Sequence, residues 1–326
     1  SGQLGGSLLA TEMETLNMNI VWLESETVRT PLPRPECKHT WTEYPFTTAD
    51  TLKDRIKDAE ILIINKVKIG PAELDAAPKL KMIQLVATGT DNVDKAACAE
   101  RGVKVSNVVN YGPESVAEHA MACILQLTRR VPEWEALVHD GSWSASRFFC
   151  LHTLPMRGLH TQTLGVLGSG AIGGKLIEFA KAFGMTILHI ERQGVDKPRD
   201  GYVSFEYGLA NSDVLSLHCP LNEQTKGLIG PDTIPKMKKG AILINTARGG
   251  LVQFDALKQA IESGQLGGAA LDVLEVEPPP RDHLMVQWQH PRCIITPHVA
   301  WGTESSQANA GRLAVKHVDE FIAENG

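Results

Sequence analysis

The sequence predicts an α/β protein of two domains built on parallel sheets, and three observations carry that expectation. Short apolar runs alternate with longer helical stretches from Asn19 onward, the order expected of parallel strands with helices on both faces. The 326 residues exceed the roughly 150 that one domain usually holds, which predicts two domains and a cleft between them. Near the middle of the chain, Gly168-Ser-Gly-Ala-Ile-Gly173 follows an apolar run and opens a helical one.

In chain order, strands are expected at 19–23, 61–64, 82–87 and 103–106, and helices at 48–57 and 71–76, the latter opened by a proline suited to a first helical turn. Residues 113–140 carry apolar side chains at helical spacing, with Pro132 as the expected kink or break. Residues 141–158 are irregular, aromatic and proline-containing, and read as a loop or arm suited to dimer contact. Six further strands follow at 164–167, 186–190, 214–218, 241–245, 269–273 and 293–296, enough for a complete doubly wound sheet. The final helix, 304–323, is expected to return to the first block and make that domain discontinuous. The domains expected are 18–110 with 300–326, and 111–299. Residues 1–17 are glycine-rich and polar, begin without Met and are set aside as an expression tag or disordered tail.

Composition narrows the class. Hydrophobic residues make up 43% and charged residues 21%, near the averages of soluble globular domains. A formal net charge of −6 with no Lys/Arg run argues against nucleic acid as a partner. The six cysteines are scattered without a Cys-x-x-Cys pair, so reduced structural thiols and no metal site are expected. No apolar run is long enough for a membrane span and no signal pattern opens the chain, which points to a cytoplasmic protein.

The glycine turn gives the first chemical reading. Gly168, Gly170 and Gly173 have the Gly-x-Gly-x-x-Gly spacing, in which the glycines serve a tight turn, close approach to a pyrophosphate and close helix-strand packing. Ala171 and Ile172 begin the helix whose N-terminus would face the anion. The next strand ends in Glu191, 23 residues beyond Gly168, near the ~20-residue spacing of the acid that takes a ribose diol. A dinucleotide site follows, in a Rossmann-like or flavodoxin-like domain at 111–299, with 18–110 plus 300–326 as the substrate-binding domain. Glu191 favours NAD; Arg192 beside it offers a guanidinium to a 2′-phosphate and keeps NADP open.

Three residues stand just after the last three strands, where open α/β sheets place their ligands: Arg248, Glu277 and His298. Reducing a 2-keto acid needs a cation to hold the carboxylate and polarise the carbonyl, and an acid for the developing alkoxide. The planar fork of Arg248 suits the first task. His298 suits the second, with Glu277 on its other ring nitrogen and Asp272 as a neighbouring partner. Taken singly, they also read as a helix-start ion pair, a solvated loop acid and a strand-end histidine; their joint position at successive strand ends decides for chemistry. His119, on a helix face with Val116 and Cys123, reads as a packed or cofactor-adjacent histidine rather than a proton shuttle.

Several motifs in fixed order now resemble one family. They are Ala87-Thr-Gly-Thr-Asp-Asn-Val93, Pro113-Glu-Ser-Val-Ala-Glu-His119, the Gly168 to Gly173 turn, Ser216-Leu-His-Cys-Pro-Leu221, Asn245-Thr-Ala-Arg-Gly249, Asp272 through Pro278, and Thr296-Pro-His298. From about Asn19 to its end the chain resembles the D-isomer-specific 2-hydroxyacid dehydrogenases. The resemblance implies that Arg248, Glu277 and His298 are catalytic and that amides around Thr88 and Gly89 join Arg248 in binding a substrate carboxylate. It implies cofactor contacts at Val116, His218, Cys219, Pro220, Thr225, Thr246, Ala247, Asp272 and Gly302, and a homodimer joined through the nucleotide-binding domain. Asn65-Lys-Val, the stretch from Phe149 to Met156, Glu275-Val-Glu-Pro-Pro279 and Trp301 are most similar to glycerate dehydrogenases, also called hydroxypyruvate reductases. Hydroxypyruvate or glyoxylate, giving D-glycerate or glycolate, is the expected chemistry. A non-catalytic NAD(H)-sensing binding protein on the same scaffold is the alternative.

Overall fold

The computed structural model describes residues 17–325; of the expected tail at 1–17, all but Asn17 lies outside the described residues. The chain divides into two units, one reaching to Tyr111 and resuming at Glu304, the other running from Gly112 to Thr303. The second unit therefore extends past the expected 299, because Ser115 Oγ donates to Ala300 O at 2.7 Å and ties the segment after the last strand back into it.

The first unit comprises β1 (Met18–Trp22), β2 (His39–Glu43), α1 (Ala49–Ile56), β3 (Ile61–Ile64), α2 (Pro71–Asp75), β4 (Met82–Leu85), α3 (Lys95–Glu100) and β5 (Lys104–Ser106). Its five parallel strands lie in the order β2-β1-β3-β4-β5, the flavodoxin-like winding. Both β3 and β4 are buried along their whole length; β3 reads as a continuous apolar run, and β4 does so apart from the buried Gln84. The strand β2 was not expected from sequence. It lies at the sheet edge with most of its His-Thr-Trp-Thr-Glu side chains exposed or half-buried, so it carries no apolar run to read.

The second unit comprises α4 (Pro113–Arg129), α5 (Val131–His139), β6 (Thr163–Leu167), α6 (Ala171–Ala182), β7 (Thr186–Ile190), β8 (Tyr202–Val203), α7 (Phe205–Asn211), β9 (Val214–Leu217), β10 (Ala241–Asn245), α8 (Phe254–Glu262), β11 (Leu266–Leu271), α9 (Leu284–Gln287) and β12 (Cys293–Ile295). The seven strands, all parallel, run β12-β11-β10-β9-β6-β7-β8. Counted from β6, this is the 3-2-1-4-5-6 order of dinucleotide-binding sheets, extended by β12. The seventh strand, β8, pairs only two residues and is too short to see in sequence. The order reverses between β6 and β9, so the loops after them open on the crevice where such sheets hold ligands.

The long helix breaks at Arg130, whose φ of 57° is left-handed, and not at Pro132, which sits in the first turn of α5. A proline is tolerated there because its missing N–H would be unsatisfied in any case. The chain closes with α10 (Glu304–Asn325), which packs on β4 in the first unit.

Candidate active site

After β6 the chain turns at Gly168 with φ +98°, a conformation that L side chains rarely adopt. A Cβ there would stand 2.7 Å from the His218 carbonyl, and one at Gly173 would stand 2.1 Å from Gly168 O. The β6 turn, the β9 loop and the first turn of α6 thus pack backbone to backbone. Gly170 is different: nothing lies within 4 Å of where its Cβ would be, and it gives α6 no side-chain cap. The helix mouth at Ala171 and Ile172 is left open as an anion cradle. On the loop after β10, the Thr246 hydroxyl is buried without a partner, a state costing about 1–3 kcal/mol that a bound ligand relieves. Open cradle and orphaned hydroxyl both fit a dinucleotide.

Around this cradle, burial pushes the His218 imidazole down to about 4, so it is neutral at pH 7; its Nε2 meets Ser216 Oγ at 2.8 Å. Burial pushes the Cys219 thiol up to about 11, which leaves it protonated and not a nucleophile. None of the six cysteines is in a disulfide; only Cys98 and Cys123 are fully buried.

Glu191 is placed differently from the sequence expectation. Its side chain is 1% exposed, and Arg199 donates Nε to Oε2 at 2.6 Å and Nη2 to Oε1 at 3.2 Å. Oε1 also accepts from Arg192 N at 2.9 Å. The Arg199 bond, followed by the Arg192 amide, holds the carboxyl down at about 2. Both oxygens are engaged, so a ribose diol must displace Arg199 to reach them. Arg199 itself, stacked 4.0 Å over the Tyr202 ring, was missed in sequence because its partner lies eight residues back across a loop.

Arg248, Glu277 and His298 stand on the loops after β10, β11 and β12, which are neighbours in the sheet. Asn245, at the end of β10, binds the first two loops together. Its backbone O accepts from Asp272 N at 3.0 Å, and its side chain bonds Arg248 O at 2.9 Å and Ala247 N at 3.1 Å. Gly249 lies so close to the next loop that a Cβ would stand 1.9 Å from the Leu274 carbonyl carbon. Glu277 Oε1 accepts from Leu274 N at 2.9 Å, and Oε2 meets His298 Nδ1 at 2.5 Å. An ionised carboxylate can only accept, so Nδ1 carries a proton and Nε2 is the atom available for exchange. Arg248 Nη1 donates to Ala247 O at 2.8 Å.

His298 has a φ of 55°, a backbone state costing about 1–3 kcal/mol that persists only where surroundings over-determine it. They do so here. His298 N donates to Asp272 O at 2.8 Å, Trp301 Nε1 donates to His298 O at 3.1 Å, and the 2%-exposed Asp272 carboxylate accepts from Val299 N and Ala300 N, both at 2.9 Å. The structure thus ties this carboxylate to the His298 loop, as a neighbouring partner of the histidine.

Residues 121–300 match the family described as D-isomer specific 2-hydroxyacid dehydrogenase, NAD binding domain. The chain belongs to the D-isomer specific 2-hydroxyacid dehydrogenases. It is 40% identical to a putative 2-hydroxyacid dehydrogenase of Haemophilus influenzae over 94% of this chain and 98% of that one. It is 38% identical to a glycerate dehydrogenase of Methylorubrum extorquens, over 94% and 97%. Among solved structures, the D-lactate dehydrogenase of Aquifex aeolicus, complexed with NAD and lactic acid, superposes with a TM-score of 0.76 at 32% identity, covering 88% of this chain and 90% of that one. The protein is thus an NAD-dependent 2-hydroxyacid dehydrogenase.

In this dehydrogenase, the remaining expected contacts fall in several places. Thr88 and Gly89 are in the first unit, where Thr88 Oγ1 donates to Val108 O at 2.9 Å and Asn107 Nδ2 to Thr88 O at 2.7 Å. Thr225 Oγ1 donates to Pro220 O at 2.7 Å and closes its own turn. Val116 is buried on α4, and Gly302 N donates to Val299 O at 2.8 Å. Asn245 and Gly249 were quoted only as parts of a motif, with no role assigned, and the contact between Ser169 Oγ and His189 Nδ1 at 3.0 Å was missed entirely. Among the described residues no cluster of His, Cys, Asp or Glu is arranged to hold a metal ion, and no helix is long and apolar enough to cross a membrane.

Proposed function

We propose that this dehydrogenase interconverts hydroxypyruvate and D-glycerate, and glyoxylate and glycolate, with Arg248, Glu277 and His298 as its catalytic residues. The bond from His298 Nδ1 to Glu277 at 2.5 Å, beside the loop that carries Arg248, is the observation that carries the reading. Identity with the Methylorubrum glycerate dehydrogenase, 38% over 94% of the chain, supports the choice of acid. Gly168, Gly170 and Gly173 would hold the pyrophosphate, and Thr246 and Ala247 the nicotinamide end; the bound nicotinamide supplies or receives the hydride. Arg248 grips the substrate carboxylate with two parallel N–H donors and draws charge from the carbonyl. His298 Nε2 delivers a proton to the oxygen that gains charge on reduction and takes it back on oxidation. Glu277 holds the ring in place and steadies its cationic form. The Thr88–Gly89 turn keeps its implied part as a donor of backbone amides to a carboxylate.

The test is direct. Mixed with NADH and hydroxypyruvate or glyoxylate, the protein is expected to consume nicotinamide absorbance, and NADPH run in parallel reads what the Glu191–Arg199 pair does to cofactor choice. Tight NADH binding without turnover of any 2-keto acid overturns the proposal in favour of the binding-protein alternative.

The proposal includes a cytoplasmic homodimer joined through the second unit. Its support is the apolar surface that this unit exposes on α5 and in 141–158: Val131, Val138, Trp143, Phe148 and Phe149, the last 91% exposed. Light scattering is expected to give twice the 35.5 kDa chain mass; a monomer at micromolar concentration overturns the dimer.

A further inference from the structure

The face of α4 that carries Ser115 and His119, four residues apart, meets the His298 loop at both of its ends. Ser115 Oγ donates to Ala300 O at 2.7 Å. His119 Nε2 lies 3.0 Å from Thr296 Oγ1, which donates to Asp272 Oδ1 at 2.5 Å. A hydroxyl has one proton, and the Thr296 proton is committed to the carboxylate. The threonine oxygen can therefore only accept from His119, which must present N–H at Nε2. The direction of the chain is thus fixed: His119 to Thr296 to Asp272, and from Asp272 to the amides of Val299 and Ala300 that follow His298. His119 Nε2 is itself 3.8 Å from Asp272 Oδ1, so its N–H adds polarity of the right sign beside a buried carboxylate.

We infer that His119 is a positioning residue for the proton transfer at His298, acting through Thr296 and Asp272 rather than by touching substrate. The inference rests on the assignment of His298 as the acid-base group. It departs from the sequence reading of His119 as a packed or cofactor-adjacent histidine. A left-handed histidine backbone has few ways to stay where it is, and the carboxylate that bonds the two residues after it is fixed from behind by this chain. Removing the donor leaves Thr296 Oγ1 without the hydrogen bond it accepts, so that only the bond to Asp272 holds the hydroxyl and it is freer to rotate away. The His298 loop then loses the constraint that sets where Nε2 points.

The experiment compares His119→Leu, of similar bulk without a donor, with His119→Gln, whose side-chain N–H reaches the place of Nε2. His119→Leu is expected to lower kcat for keto-acid reduction by about tenfold to a hundredfold, the scale set by sub-ångström misplacement of a reacting group. NADH affinity, read by fluorescence titration, stays within about twofold, since the cradle at Gly168 is untouched. The solvent deuterium isotope effect on kcat rises, because proton delivery becomes slower than hydride transfer. His119→Gln is expected to recover most of the rate and the wild-type isotope effect. Should His119→Leu fold poorly, Thr296→Val cuts the same chain at its middle link and Thr296→Ser restores it. Equal loss in the leucine and glutamine variants, or loss of NADH affinity with kcat intact, overturns the inference. His298→Ala run beside them separates the two ideas: wild-type turnover there sinks the catalytic assignment itself, whereas a dead His298→Ala with a fully active His119→Leu sinks only the positioning role.

Discussion

Arg248→Ala is expected to lower kcat/KM for a 2-keto acid by about 10²- to 10⁴-fold, from two charge-assisted hydrogen bonds worth about 1.5–3 kcal/mol each. Both KM and kcat suffer, because the same guanidinium grips the carboxylate and polarises the carbonyl. The loop itself should survive the substitution: it loses the Nη1 bond to Ala247 O but is still held by Asn245, through Arg248 O and Ala247 N, and by the Gly249 backbone packed on Leu274, none of which involves the guanidinium. NADH binding is accordingly expected within about twofold of wild type. Arg248→Lys keeps the charge and loses the fork, so it should recover part of the affinity and little of kcat. A keto amide in place of the keto acid is a second reading of the same bond: without a carboxylate to hold, the gap between wild type and Arg248→Ala should shrink to the part owed to carbonyl polarisation. Wild-type kinetics in Arg248→Ala remove this residue from the site.

What the sequence could disclose depended on how a feature is built. Strands β3 and β10 read correctly from end to end because they are buried throughout and therefore apolar in sequence, β10 up to its closing Asn245. The edge strands β2 and β8 did not, one being polar on its outward positions and the other two residues long. The glycine spacing showed where a turn must be tight, but not that Gly249 would bring the β10 loop against Leu274, since a lone Gly-Gly has many local uses. Single hydrogen bonds between distant residues outside the catalytic trio were beyond reach. His119 and Thr296 are 177 positions apart and share no pattern, only a place at the end of one sheet. Glu191 shows the converse limit. Its position at a strand end was legible, but the competitor for its oxygens, Arg199, became visible only when the loop to β8 folded back.

Disabling the imidazole and its carboxylate separately should give losses of different kinds. His298→Ala removes the group that exchanges the proton, a contribution of about 10²- to 10⁴-fold, so kcat falls by that factor while NADH and keto-acid binding persist. Glu277→Gln leaves the imidazole present but changes what holds it. The carboxylate now accepts from Leu274 N with one oxygen and from His298 Nδ1 with the other. An amide can satisfy one of these as acceptor, and its NH₂ then faces the other donor. The ring is left less constrained and its cation loses a neighbouring negative charge. Glu277→Gln is therefore expected to lower kcat by less than His298→Ala does, because the imidazole that exchanges the proton is still present but less well oriented. Glu277 and His298 are 33% and 30% exposed, so solvent screens part of the pair and limits what the lost charge costs. A Glu277→Gln enzyme as inactive as His298→Ala would mean that the carboxylate does more than orient the ring; one that loses nothing would break the link between this hydrogen bond and turnover.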